Sequence, residues 1–532
     1  MPFWQANTLP PGDAVVLVEL FPQDRRVLLR NLTIANALRR YMSARVVVIT
    51  GIDEGWSKVW PDFDLEQNVA FARAFGVDEV IDAHALVDAQ LRGEGEPLPA
   101  YAIDEAKLTQ IVDATTCRME LVPRVDWSED LAERRAAAER RSRAFAGFYE
   151  SFFTRHDVLA LVTSHVDYGN FGLAVETARH HRVPVLFPQS TGGLKSYAIF
   201  PENDDPSWPV RAGLTQAIGR FFEERLWPHH EMLLPVTELT QWRAKQTLGR
   251  PSWWRTGQGW SSIDMTTPEE RTVVRRYAAE AVGLDADKPI VAVFNHAVSD
   301  ALGTNHEAFG DLAEWFERTA EYAARHPEVD WLFLDHPSQA QYDSVGFFDA
   351  VAARHADADH LRFRRSLDLS KNFVTALTDL VVTVRGSVSN EYPALGIPAL
   401  QAGWSEWSQC GFTTVADTPE AYSAELDRHL AGLLAGEQLI SPEQVRRARL
   451  WTWFYRSAAD VPSGIVPHWH LGDQETLFSV LAVQLRQVEA DAEPGFAAVR
   501  RLWQRRDAFL TRNDWTLSDE AVRDQIAPAG AL

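Results

Sequence analysis

The stretch that decides the fold is TVRGSVSNEYPALGIPAL, residues 383–400. An apolar, β-branched run from Leu380 to Val384 leads into it and reads as a buried strand. Arg385-Gly386-Ser387-Val388-Ser389 then reads as a turn, with a short helix expected from Asn390 to Gly396. Ile397-Pro398-Ala399-Leu400 reads as the next strand. In a parallel α/β sheet such a turn lies outside the carboxyl ends of the strands, where ligands bind. Gly386 lets the backbone approach a ligand closely, Ser387 and Ser389 offer hydroxyls, and the helix start offers N–H groups to an anion. Glu391 follows, placed where a carboxylate could accept hydrogen bonds from ribose hydroxyls. An ordinary strand–turn–helix with a serine cap has the same local pattern, so the rest of the chain has to decide.

Three further turns fall at expected strand ends. In WLFLDHPS (331–338) the strand ends at Asp335, and Pro337 stops the ladder and fixes the turn. His336 there can donate to an anionic oxygen. In VAVFNHAVSDALG (291–303) an apolar strand opens into a turn crowded with Asn295, His296, Ser299 and Asp300. Those residues suit contact with a ligand's sugar or phosphates, and they could equally cap the following helix. The third turn, SHVDYGNFG (164–172), follows the strand Val158–Val162 and carries His165, Asp167 and Tyr168.

The 532 residues exceed one core, and length alone suggests about three to four domain-sized units. AVVLVELF (14–21), a helix over 27–41 and RVVVIT (45–50) form a βαβ opening, the mark of a parallel sheet covered by helices. Residues 128–154 read as one long helix with Ser128 as its N-cap. Its alternating Arg and Glu suit a solvated face rather than a basic patch. Residues 235–266 turn polar and rich in Gly, Pro and Ser, which suits a linker. The expected division is therefore a first lobe over 1–235, a linker over 236–266, a second lobe over 267–473 and terminal helices over 474–532 that cross back to the first lobe.

A formal net charge of −22, from 52 basic and 74 acidic side chains, argues against a general nucleic-acid binder. Two cysteines, Cys117 and Cys410, exclude a disulfide framework and a cysteine-rich zinc site. No apolar run reaches the length of a membrane span and no secretory leader is visible, so the chain reads as cytoplasmic. The acidic pair Asp204-Asp205 and the adjacent histidine pairs lack metal-ligand spacing, so neither metal nor cofactor is expected. Nineteen tryptophans are many; Trp253, Trp254, Trp260, Trp404 and Trp407 lie in polar stretches where indoles can stack on sugar faces.

Gly-Ser-x-Ser-x-Glu followed by Gly-x-Pro at 386–398 resembles the donor-nucleotide turn of GT-B glycosyltransferases. A His-Pro turn before such a Ser-rich turn is similar to the nucleotide-binding pair of bacterial sialyl- and Kdo-transferases and of teichoic acid polymerases. The fullest resemblance is to the capsular polysaccharide biosynthesis glycosyltransferases. NHAVSDA (295–301) looks like the family's opening turn, GWSEWSQCGFTTVADTPEAY (403–422) like its segment after the donor turn, and YRSAADVPSGIVP (455–467) like its end. The resemblance covers most of 155–200 and 285–470.

It implies an α/β, GT-B-like fold: two Rossmann-like parallel-sheet lobes, a cleft between them and a helical C-terminal tail. The substrates implied are a nucleotide-sugar donor, itself a substrate and not a cofactor, and a cell-surface polysaccharide or glycolipid acceptor. Peripheral association with the inner membrane face or with other polysaccharide-assembly proteins is implied as an option. By position, His336, Ser387 and Ser389 would hold donor phosphate, with Arg385 and Gly386 in the same turn. Glu391 would hold ribose, Ser370, Lys371 and Asn372 would lie near the base, and Asn295, His296 and Ser299 would also face the donor. Relatives often pair the two hydroxyl residues directly, whereas Val388 separates them here, which leaves open which one bonds phosphate. The family has a similar His-x-x-Tyr turn in its first lobe, which makes His165 and Asp167 the candidates for the catalytic base, with Asp300 in reserve. The alternatives are a teichoic-type polyol-phosphate transferase, a nucleotide-sugar epimerase and a non-catalytic glycan-binding protein.

Overall fold

The computed structural model describes residues 2–21, 25–59, 64–95, 97–189, 193–240, 268–369, 371–466 and 474–526. The first lobe is built on β1 (Ala14–Glu19), β2 (Ala44–Thr50), β3 (Glu79–Asp82), β4 (Val158–Val162), β5 (Val185–Gln189) and β6 (Lys195–Ile199). They form one sheet in the order β3-β2-β1-β4-β5-β6, parallel except for β6, which pairs antiparallel with β5. The second lobe uses β7 (Ile290–Phe294), β8 (Asp330–Leu334), β9 (Leu361–Arg364), β10 (Leu380–Thr383), β11 (Ala399–Gln401) and β12 (Thr414–Val415). Its sheet is parallel throughout, in the order β12-β11-β10-β7-β8-β9.

Both orders are the doubly wound one, in which the chain reverses direction beside its first strand. The reversal opens a crevice between β1 and β4 in one lobe and between β7 and β10 in the other. The continuous apolar runs follow from burial on both faces. Val15, Leu17, Val47 and Ile49 enter one core, and Val16, Val18, Val46 and Val48 enter the core on the opposite face.

The expected strands recur within two residues of their predicted ends. The antiparallel edge Lys195–Ile199 was not anticipated. The long helix runs Leu131–Arg155, three residues later than read, because Ser128 does not cap it: its hydroxyl goes to Asp130 at 2.6 Å. The expected linker loses its beginning, since residues 236–240 continue the helix His230–Thr240, with Pro235 inside it. Residues 241–267, with Trp253, Trp254 and Trp260, lie outside the described residues. Ser441 heads the helix Pro442–Trp453 with a complete capping box, because Gln444 answers its bond.

The return to the first lobe begins before residue 474. Val461 exchanges both backbone hydrogen bonds with Leu194, at 2.8 and 2.9 Å, and Val461, Ile465 and Val466 already belong to a first-lobe core. The chain then covers that lobe with the helices Gln474–Gln484 and Pro494–Arg505, burying Leu477, Leu481, Phe496, Val499 and Leu502. Residues 508–510 pair along the outer side of β6 (Ala198 N to Ala508 O, 2.8 Å; Leu510 N to Ser196 O, 2.9 Å), so this edge strand is covered.

Candidate functional site between the lobes

The strand-end turns of the two lobes meet. In the first lobe the segment after β4 passes through Thr163, Ser164, His165 and Asp167 into a π-helical turn, Tyr168–Gly172. Tyr168 takes φ of +66°, a left-handed backbone that costs a bulky residue about 1–2 kcal/mol. That conformation carries its phenol across to the second lobe, where it donates to Asp300 Oδ1 at 2.8 Å. Arg211 ties Asp167 (3.4 Å) to Glu406 of the second lobe (3.2 Å). Arg118 donates to the Gln341 carbonyl at 2.9 Å and sits 3.8 Å over the Tyr342 ring. The cleft is thus closed across His165, Asp167, Tyr168, Arg118 and Arg211 on one side and the 295–304, 336–342 and 385 segments on the other.

On the second lobe, Arg385 leaves the end of β10 and spans to the segment after β7. It donates to the Ala301 carbonyl and to Thr304 Oγ1 (3.1 Å), and pairs with Glu307 at 3.3 Å. Burial pushes Asp300 up, and the His296 ring, Arg385 and the Tyr168 hydroxyl more than offset it, holding the carboxyl at about 2. Burial drives His296 itself down to about 3, so at neutral pH the ring is uncharged. Arg385 and the Tyr168 phenol are therefore what keep Asp300 ionised. Burial also pushes His336 and His165 down; for His165 the neighbouring Asp167 and Asp300 pull upward and Arg211 and Arg118 pull downward. The His336 and His296 rings lie 6.1 Å apart. Because His336 Nδ1 accepts the Ser338 N–H at 3.1 Å, its proton is on Nε2.

Several buried polar atoms in this region make no hydrogen bond among the described residues: both amide atoms of Asn295, Ser299 Oγ, His296 Nδ1 and Asp167 Oδ1. Leaving such a group unpaired costs about 1–3 kcal/mol. Their gathering at a strand-end crevice marks a place built to be filled by a polar ligand. A small opening lies beside it, lined by Asp167, Tyr168, Lys107, Gln110, Gly303 and Thr304.

The turn at 383–400 departs from expectation in detail. Its helix starts at Val388, two residues early, and continues past Glu391 into a 3-10 turn, Pro393–Leu395, closed by Gly396 at φ +84°. Ser387 stands before the helix but makes no side-chain cap, and the N–H groups of Gly386, Ser387 and Val388 take no partner among the described residues. Ser389 is not a free hydroxyl. It is fully buried, donates to the Gly386 carbonyl at 2.7 Å and accepts the Trp407 indole N–H at 3.1 Å, so it fixes the turn from beneath. Trp407 is by the same bond a structural residue and not a sugar platform. Glu391 is buried. Lys371 and Asn372 open the helix Lys371–Leu377, but their side chains, like Ser370, lie outside what is described.

Sequence reasoning missed Arg118 and Arg211, which carry no local signal because Arg118 comes from the helix Glu105–Glu120 and Arg211 from the turn before the helix Ala212–Phe221, both far along the chain from the strand-end turns. It also missed Glu19, the last residue of β1 and wholly buried. Glu19 accepts from the Ser164 hydroxyl at 2.7 Å and the Ser164 N–H at 3.0 Å, and also from the Phe21 N–H.

No family model matches the sequence, and no curated protein matches it either. Among solved structures, the chain is similar to a β-Kdo 2,7-transferase, KpsC, from Thermosulfurimonas dismutans (11% identity, TM-score 0.30, 80% of this chain and 98% of that one). It is also similar to a glycosyltransferase from Rickettsia africae (9%, 0.29, 90% and 97%). A third is a UDP-GlcNAc 2-epimerase from Neisseria meningitidis bound to UDP-GlcNAc (8%, 0.26, 82% and 97%). The fold class is the GT-B-like one, defined here by the chain's own two sheets: two Rossmann-like lobes, a cleft between their strand ends and a helical C-terminal region. Among the described residues no helix is long and apolar enough to cross a membrane.

Proposed function

We propose that the chain is a nucleotide-sugar-dependent glycosyltransferase that extends a cell-surface polysaccharide or glycolipid. In this reading the donor lies against the second lobe and the acceptor hydroxyl enters from the first. The observation that carries the proposal is the set of buried, unpartnered polar atoms on Asn295, Ser299, His296 and Asp167, where the strand ends of the two lobes meet. A nucleotide sugar brings a dense array of hydroxyl and phosphoryl oxygens that would satisfy them.

Asn295, Ser299, the Nε2–H of His336, Ser387 and the N–H groups of 386–388 would take donor phosphate and sugar. Glu391 and the start of the Lys371–Leu377 helix would take ribose and base, as the family resemblance implies. His165 is the base: burial keeps it neutral at pH 7, and its Nε2 takes no partner among the described residues. It accepts the acceptor's hydroxyl proton as that oxygen bonds to the anomeric carbon. The anomeric C–O bond to phosphate breaks in the same step, and the electron pair leaves with the nucleotide. Asp167, beside the ring, stabilises the imidazolium that forms. Asp300 binds a proton too weakly to serve as base, and with Arg385 it sets the field in which the leaving phosphate departs. Peripheral association with the inner membrane face, where lipid-linked acceptors assemble, belongs to the same proposal.

Incubation with CMP-, UDP- and GDP-linked sugars and an oligosaccharide acceptor tests it. Nucleotide release that requires acceptor, with an acceptor lengthened by one sugar, is the expected result. A phosphodiester-linked product would mark polyol-phosphate transfer, donor epimerised without acceptor would mark an epimerase, and glycan binding with no nucleotide release would mark a binding protein.

A further inference from the structure

Glu19 lies at the crevice of the first lobe, where β1 ends, and the candidate base is two bonds away. Its Oε2 receives the Ser164 hydroxyl at 2.7 Å, and Ser164 Oγ lies 3.0 Å from His165 Nδ1. Carboxyl, hydroxyl and imidazole therefore form one chain leading from the core to the inter-lobe face. We propose that Glu19 is a positioning residue: through the Ser164 hydroxyl it sets which ring nitrogen of His165 carries the proton, and protonation of Glu19 reverses that setting. The inference rests on His165 as the base proposed above.

The bond directions follow from proton counting, because a serine hydroxyl has one hydrogen to give. When Glu19 is ionised it can only accept, so Ser164 points its hydrogen at Oε2 and accepts from His165 Nδ1–H. The bare lone pair is then on Nε2, toward the cleft, in the form a base requires. When Glu19 is protonated it donates to Ser164 Oγ, the hydroxyl turns to donate to Nδ1, and the ring proton moves to Nε2, where it blocks proton uptake. No bond other than O–H and N–H changes, and the net charge changes by the one proton taken from solvent.

The surroundings suit a carboxyl that titrates near neutrality. Its donors among the described residues are neutral: the Phe21 and Ser164 N–H groups and the Ser164 hydroxyl, with the Thr163 hydroxyl 3.4 Å away and nearer, at 3.0 Å, to the His165 carbonyl. From helix Leu131–Arg155 it faces the Tyr149 phenol, which burial and the Glu19 charge keep protonated, and Asn31 bonds its main-chain carbonyl at 2.9 Å. Burial raises Glu19 to about 7 against the pull of those hydrogen bonds. The charged groups facing His165 are Asp167, Arg211, Asp300 and Arg118.

The test is the ring-nitrogen NMR spectrum of His165 in full-length, ¹⁵N-histidine-labelled protein, assigned with H165Q and followed from about pH 5.5 to about pH 8.5. The wild type should shift from the Nε2–H to the Nδ1–H tautomer through the Glu19 transition. E19Q and S164A should each abolish that shift, S164T should retain it, and the E19Q/S164A double variant should match either single one. In parallel, the acidic limb of kcat near pH 7 should flatten in E19Q, with kcat reduced by about tenfold or more and the donor KM unchanged. A tautomer constant across the range in the wild type, or a shift that survives E19Q, overturns the proposal. If the wild type transfers no sugar at all, the glycosyltransferase reading fails, while the spectrum still decides the relay.

Discussion

Glu19 and Asp300 are both carboxyls buried at strand ends, and their surroundings push them in opposite directions. Asp300 faces Arg385 and a phenol that pull it down against its burial, whereas Glu19 has only neutral donors and rises to about 7. The Glu19 difference has a measurable cost. A carboxyl whose folded pKa exceeds its unfolded value of 4.5 stabilises the fold while protonated, and that contribution is lost as pH rises from 4.5 to about 7. At about 1.36 kcal/mol per unit, the loss is of the order of 3 kcal/mol at most. Urea unfolding at about pH 5 and pH 8 should show wild-type stability falling across the window and E19Q lacking that component; equal slopes would place the Glu19 transition elsewhere. For the chemistry, H165A should lower turnover roughly 10²–10⁴-fold with nucleotide affinity nearly intact. D300N keeps an acceptor for the Tyr168 hydroxyl but removes one of the two nearest negative charges, with Glu307, that face Arg385, so it should disturb donor affinity and turnover together. Near-full rate in H165A, alongside an inactive D300N, would move the base to the second lobe.

At the scale of elements, the turn at 383–400 separates hydroxyls that hold structure from groups that await a ligand. S389A should cost about 1–3 kcal/mol of stability, since it leaves the buried Trp407 N–H unpaired while the Gly386 carbonyl keeps only the backbone N–H of residue 389, and it should spare nucleotide binding. N295A should do the reverse, weakening the nucleotide by about 1–3 kcal/mol in a calorimetric titration with little change in unfolding. Exchanged outcomes would reassign both residues. The strands were legible because Val-, Ile- and Leu-rich runs admit little else in a sheet buried on both faces, and their ends therefore located the turns. The turn interiors were not legible. Ser387 and Ser389 look alike in sequence, and only the Trp407 indole, arriving from eighteen residues away, distinguishes them. Glu19 was hidden inside an apolar run, where a single carboxylate reads as part of a strand.

At the scale of the molecule, two sheets of the same order face their strand ends toward each other, and Tyr168–Asp300, Arg211–Glu406 and Arg118–Gln341 join them. The two-lobe plan could be read from repeated strand–turn–helix units. The point of return could not: the isolated pairing of Val461 with Leu194 is set by tertiary contact and leaves no local pattern. The bridges across the cleft imply that a ligand seated between the lobes adds contacts to both, so binding should stabilise the whole chain. The central claim is that this closed crevice is a nucleotide-sugar site. Isothermal titration of the intact protein with CMP, CDP, UDP and GDP tests it most directly. The account predicts saturable binding of at least one nucleotide, weakened about 5–150-fold by N295A, the equivalent of about 1–3 kcal/mol. No binding by any of the four, or binding that N295A leaves unchanged, would contradict it.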